Sequence, residues 1–268
     1  MASWGNYFAQ RDGHPVSVFL DLDFRKTAPD RARPLLCRVR LAMRAPRADG
    51  LSDGAEAGTL HQIEDALCER LAAQADAVLV GRITGGGARE FCFYARAGAQ
   101  PAAHVDAVVA GFTGYQHTTR SAPDPDWTHY CEQLYPDDDQ LQCMNNLKVL
   151  EALRERGDVL EVPRPVRHWA LFPDQVTRDK FVARMAPDGF ATESATGPDP
   201  GQALPFAVCL LRTHTPLPGD VDPITLALRR AARDFGGEYD GWESPVMSAQ
   251  DAAPPEPPRP RKPWWKLW

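Results

Sequence analysis

The residues best suited to chemistry are few and scattered. Asp21 and Asp23 stand two apart in VSVFLDLDF (16–24), with His14 just upstream. Such a set could ligate a divalent metal or supply a general base. Carboxylates at i and i+2 also share the solvent face of a strand, and no second carboxylate or histidine pair stands close by to complete a coordination sphere. His168, beside Trp169 in VRHWALF (166–172), reads as a strand residue pairing locally. Gly85-Gly86-Gly87 has the glycine density of a phosphate loop but lacks the G-K-[ST] step that opens a helix. Apolar runs flank it on both sides, so it reads as a hairpin turn. Asp137-Asp138-Asp139 reads as a solvated lead into a helix, where acidic groups favour the dipole. No nucleophile–base pair, metal-ligand spacing or cofactor motif emerges. The expectation is a non-enzyme without metal or cofactor.

Binding has better candidates. In GGEYDGWES (236–244) the two glycines end a helix and reverse the chain. Tyr239 and Trp242 are three apart, so a regular strand puts them on opposite faces, and a bulge at Asp240-Gly241 would bring them to one side. Both residue types are enriched at interface hot spots, yet both could equally cover the sheet and hydrogen-bond at its edge. Asp240 and Glu243 are the better candidates for exposed partner contacts. The last residues, Trp264-Trp265-Lys266-Leu267-Trp268, follow a segment holding six prolines. Leaving such rings in water costs about 1.5–3 kcal/mol per large apolar side chain relative to burial. Two receivers fit Trp264, Trp265, Leu267 and Trp268. One is a membrane interface, where tryptophan and basic residues meet headgroups; the other is a protein groove.

The elements that must position these residues form two series. Strands are expected at 16–24, 34–43, 77–83, 89–95 and 114–120. A helix follows the Thr59–Gln62 capping box, and another opens at Pro101. The order is ββαββαβ, with helices on one face of an antiparallel sheet. Residues 122–159 read as a helical connector whose longer helix fills 139–156 and ends at Gly157. From 160 the pattern restarts as βαββαβ, the ferredoxin-like arrangement, with Asp174 and Asp222-Pro223 opening its helices. The expected class is therefore α+β. Two ferredoxin-like antiparallel sandwiches (1–121 and 160–247) flank the connector, and a disordered proline-rich tail follows (248–268).

Bulk properties narrow the function. A formal charge of −6 and a pI near 5.7 disfavour a general nucleic-acid coat, because phosphate contacts draw their affinity from clustered Lys and Arg. No run of about 18 apolar residues exists to span a bilayer, and the start lacks the plan of a secretory signal. Six cysteines without a C-x-x-C pair fit a reduced, cytoplasmic protein.

GGEYDGWES, closing a βαββαβ series, resembles the signature of the ribonuclease E inhibitor (regulator of ribonuclease activity B) family, over roughly residues 160–246. The upstream part, with Trp4, Tyr7, GLSDG (50–54) and VGRITGGGAREFCFYAR (80–96), is similar to a bacterial domain family of unknown function found fused ahead of it. The resemblance implies a non-catalytic adaptor that binds ribonuclease E, or another component of the degradosome, and slows RNA turnover. It carries no catalytic residues. The tail adds the prospect of a place at the periphery of the inner membrane. Direct RNA binding by the ferredoxin-like sheet and an uncharacterised enzyme in the N-terminal domain are the alternatives. The first is disfavoured by charge, since FAVCLLRT (206–213) offers one aromatic and one arginine to a mode that stacks bases on paired aromatics.

Overall fold

The computed structural model describes residues 3–199 and 201–248. Trp264, Trp265, Leu267, Trp268 and the rest of the tail expected to be disordered lie outside the described residues. Two compact units divide the chain, residues 1–144 and 145–268. Both are built on antiparallel sheets, so the α+β expectation holds.

The N-terminal unit opens with a hairpin of β1 (Trp4–Arg11) and β2 (His14–Asp21), turned through Asp12 and Gly13, both at positive φ. β3 (Leu35–Ala42), α1 (Gly54–Ala75), β4 (Val78–Gly85), β5 (Ala88–Ala95), α2 (Pro101–Val109) and β6 (His117–Pro123) follow. The sheet order is β1-β2-β4-β5-β3-β6. From β3 onward this is the ferredoxin-like order, with the first hairpin added along β4. β1 escapes the hydrophobic pattern because its inward side carries only Gly5, Tyr7 and Ala9, while Phe8 points outward. α1 starts five residues before the Thr59 capping box, since the Asp53 carboxylate accepts from the Ala55 amide and already caps a helix there. Gly86 and Gly87 at positive φ make the β4–β5 turn the hairpin expected.

Both faces of this sheet are covered. α1 and α2 bury Leu60, Ile63, Leu67, Leu71 and Val105 against Val39, Leu41, Phe91 and Phe93. The other face packs Val18, Leu20, Cys92 and Tyr94 against Trp127, Tyr130, Leu134 and Met144. Burial on both sides follows from β5, whose run FCFYA is apolar in both registers. Residues 127–144, expected in the connector, thus complete the first core.

α3 (Asp138–Glu155) opens with a capping box: the Gln140 amide donates to Asp137 Oδ1 (2.8 Å) and the Asp137 amide to Gln140 Oε1 (2.9 Å). It ends in a Schellman turn at Gly157, with the Asp158 amide on Leu153 O and the Gly157 amide on Arg154 O. Asp158 then meets Arg164 in an ion pair at 2.5 Å whose side chains are both 0% exposed.

The C-terminal unit runs β7 (Arg164–Phe172), α4 (Gln175–Met185), β8 (Ala191–Thr196), β9 (Phe206–His214), α5 (Pro218–Asp234) and β10 (Glu238–Glu243). Its order, β10-β7-β9-β8, is again ferredoxin-like. Asp174 caps α4 as expected, accepting from the Thr177 amide. α5 begins at Pro218, so Pro223 lies inside the helix and Asp222 is not its cap. Asp222 instead accepts a hydrogen bond from Asn146. α4 and α5 cover one face through Phe181, Met185, Ile224 and Leu228 against Ala170, Phe172, Val208 and Leu210. Both edge strands are bulged, β8 at Glu193 and β10 at Asp240.

Candidate functional site

β10 carries the residues singled out in GGEYDGWES. Gly237 passes close against β7: a Cβ there would lie 2.4 Å from the Phe172 ring, so only glycine permits the approach. Opposite β7, Tyr239 pairs with Ala170 and Gly241 with Trp169, leaving Asp240 as the extra residue. The bulge brings Tyr239 and Trp242 onto one face, where they are 7% and 8% exposed. Asp240 and Glu243 point to solvent, the Glu243 side chain 60% exposed.

Each buried ring has a polar partner. Trp242 Nε1 donates to Asn146 Oδ1 (2.9 Å), and Asn146 Nδ2 donates to Asp222 Oδ1 and Thr225 Oγ1 (2.8 Å each). One fully buried amide therefore ties α3, α5 and β10 together. Tyr239 Oη lies 2.9 Å from His168 Nδ1, His168 Nε2 lies 3.2 Å from His214 Nε2, and His214 Nδ1 lies 2.7 Å from Thr215 O. The carbonyl can only accept, so His214 carries its proton on Nδ1 and the chain runs one way, from Tyr239 through His168 and His214 to Thr215. All three side chains are then neutral. Burial, with His214 and Arg212 nearby, lowers the His168 pKa to about 3, and burial also lowers His214 and raises Tyr239.

His214 opens onto a groove of about 670 Å³ lined by Phe190, Arg212, Asp188, Asp220 and Ile224. Arg212 lies over the Phe190 ring at 5.2 Å. On the opposite face of the sheet, Arg167 bridges strands, bonded to Glu193 (2.5 and 2.9 Å) and 3.9 Å from Glu243. Trp169 is half-buried on the same side of β7. These arrangements suit recognition: a shaped groove, exposed acids at a bulged edge, and buried groups held neutral.

The other sequence candidates are not brought together. Asp21 caps the 3-10 turn Leu22–Lys26, accepting from the Ser3 and Asp23 amides; Asp23 pairs with Lys26; His14 sits at the far end of β2. All six cysteines are free thiols. Sequence reasoning placed His168 in a strand but missed its link to His214, 46 residues on, and missed Asn146 within its helix. The register of β9 sets His168 against Leu210 and His214 against Arg164, so the two rings share a face and meet along it.

Residues 2–135 match the family of unknown function DUF695. The chain belongs to that family. Residues 144–244 match Regulator of ribonuclease activity B, a regulatory family, so the DUF695 domain is followed here by a domain of that kind. No curated protein matches the chain. Among solved structures, an unknown protein from Galdieria sulphuraria is 15% identical, covering 80% of this chain and 99% of its own, at a TM-score of 0.23. A protein described as a glycine cleavage system transcriptional repressor is 7% identical, covering 79% and 98%, at 0.25. Likenesses of that size carry no argument about function. No helix among the described residues is long and apolar enough to cross a membrane.

Proposed function

We propose that this DUF695 chain is a non-catalytic adaptor that binds ribonuclease E, or a component of its RNA-degrading assembly, and lowers RNA turnover. The observation that carries the reading is the match of residues 144–244 to Regulator of ribonuclease activity B. The geometry supports it in kind. The closing strand commits Tyr239 and Trp242 to internal hydrogen bonds, and leaves Asp240 and Glu243 for a partner of opposite charge. In this reading Tyr239 and Trp242 shape the partner surface from beneath. Trp264, Trp265, Leu267 and Trp268 provide a second attachment, to a membrane surface or a protein groove. The protein then works in the cytoplasm, at the periphery of the inner membrane when the tail is engaged.

Pull-down of ribonuclease E fragments by the full chain tests the reading, beside Asp240→Ala/Glu243→Ala and a chain lacking 259–268. Enrichment that drops at least fivefold in the double variant is expected. Equal recovery by an unrelated acidic control sinks the proposal.

A further inference from the structure

In the N-terminal unit, three side chains from two separate segments converge on one point. Glu90 and Cys92 alternate on β5 and share the face turned away from α1 and α2. His129 comes from the π-helical turn His129–Leu134 that covers that face. A carboxylate oxygen of Glu90, Cys92 Sγ and a ring nitrogen of His129 all lie within 4.8 Å of one another. We propose that Glu90, Cys92 and His129 form a three-ligand site for a borderline-soft divalent cation, Zn²⁺, with a fourth position left open.

The sulfur–nitrogen distance fits that ion. Bonds of about 2.3 Å to sulfur and about 2.0–2.1 Å to nitrogen at a tetrahedral angle place S and N about 3.5 Å apart. Cys92 Sγ and His129 Nε2 are 3.5 Å apart. The supporting shell is also present. His129 Nδ1 lies 3.0 Å from Gln133 Oε1, one turn on. Donating its proton to that amide oxygen fixes the tautomer and leaves the Nε2 lone pair aimed at the thiol, as the outer partner of a metal-bound histidine does.

The backbone that presents His129 is held at some cost. Trp127 sits at φ 56, strained for a residue with a side chain. It is kept there by stacking on Tyr94 (4.0 Å between centroids) and by Nε1 donating to Arg33 O. Asp124 takes hydrogen bonds from Tyr94 Oη and from the Thr128 and His129 amides. The same residues that close the core therefore aim His129 at Cys92.

Without a cation, Cys92 S–H is left to donate to His129 Nε2. Loading forms Zn–S, Zn–N and Zn–O bonds, breaks the S–H bond and releases its proton to solvent. Thiolate and carboxylate together cancel the charge of the ion. That balance matters because the Arg38 guanidinium stands 3.8 Å from Glu90 and would oppose an uncompensated cation. Access runs along Glu90, whose side chain is 18% exposed.

The full chain, stripped with chelator, is titrated with Zn²⁺ against a competing chromophoric chelator, and with Co²⁺ as a spectroscopic probe. The expected result is one equivalent of Zn²⁺ bound. Co²⁺ should give tetrahedral d–d bands and a thiolate-to-cobalt charge-transfer band. Cys92→Ala should abolish the charge-transfer band. Glu90→Gln, which changes only a partly exposed side chain and keeps the core intact, should weaken binding at least tenfold. Absence of stoichiometric binding overturns the assignment. So does binding of equal strength in Glu90→Gln and Cys92→Ala.

Discussion

Replacing Trp242 by phenylalanine separates the two jobs that a tryptophan in the closing strand could do. In the fold the ring is buried against Leu150, Leu153, Val166 and Val221, and its Nε1 donates to Asn146. Phenylalanine keeps most of the buried area but removes the donor, so Asn146 Oδ1 loses that hydrogen bond. A buried hydrogen bond lost in this way costs about 0.5–1.5 kcal/mol. For a unit of roughly 100 residues this lowers the melting temperature by several degrees. Alanine should cost more, about 3–5 kcal/mol from lost burial and the cavity together. The measurement is thermal and urea denaturation of the full chain, with hydrogen exchange of the β10 amides as the local readout. A cycle with Asn146→Ala should return a coupling of about 0.5–3 kcal/mol. If Trp242→Phe leaves stability within about 0.5 kcal/mol and instead weakens capture of the partner, the ring works at an interface and the argument is wrong.

Other outcomes follow from the same contacts. Arg164→Met should destabilise the C-terminal unit by about 3–5 kcal/mol. The guanidinium bonds Asp158 and the carbonyls of Val159, Val162 and Pro245, and its loss strands a buried carboxylate; urea titration reads this, and Asp158→Asn in the same chain should recover part of it. His168 titrates near 3 when folded and near 6.5 when unfolded, so the unfolded chain binds the extra proton between those values. Stability from this group is complete above about pH 6.5 and falls as the pH drops toward 3, by at most about 1.4 kcal/mol per unit. Melting curves across that window should flatten in His168→Gln. Gly237→Ala should cost about 1–3 kcal/mol or more by driving a Cβ into the Phe172 ring and the Leu171 carbonyl, so that β7 itself must shift, measured by the same melts.

Much of this architecture is legible in the chain, and the reasons for the exceptions are physical. The C-terminal order could be read because β7 and β9 are strongly apolar and Asp174 marks the start of α4, although β8 (ATESAT) has no apolar register of its own. The spacing of Tyr239 and Trp242 left a regular strand and a bulge at Asp240-Gly241 both open, and the structure takes the bulge. β1 was lost because Tyr7 alone among its inward positions is large, and Phe8 points outward. The start of α5 was lost because Pro223 imitates a first-turn proline while Val221, two residues earlier, is already buried within the helix. The covering of the second face by 127–144 was not assigned from the chain, because the helical spacing of that segment does not say which neighbour it packs on; the structure pairs it with the two-sided run FCFYA. The groupings that matter most, His168 with His214 and Cys92 with His129, join residues 46 and 37 positions apart. Local periodicity carries no information about such pairs; only strand register and the path of a covering segment bring them together.

The bulges at Glu193 and Asp240 have a consequence for the company this unit keeps. Each outer strand of the C-terminal sheet is interrupted where an incoming strand would need an unbroken row of amides and carbonyls, and each interruption carries a negative charge. Zipping a foreign strand onto either side is thereby discouraged, and so is self-association of two copies through their borders. Recognition is left to side chains, which can be selective for one surface and release it again. A unit guarded in this way resists edge-to-edge pairing and can stay dispersed at high concentration.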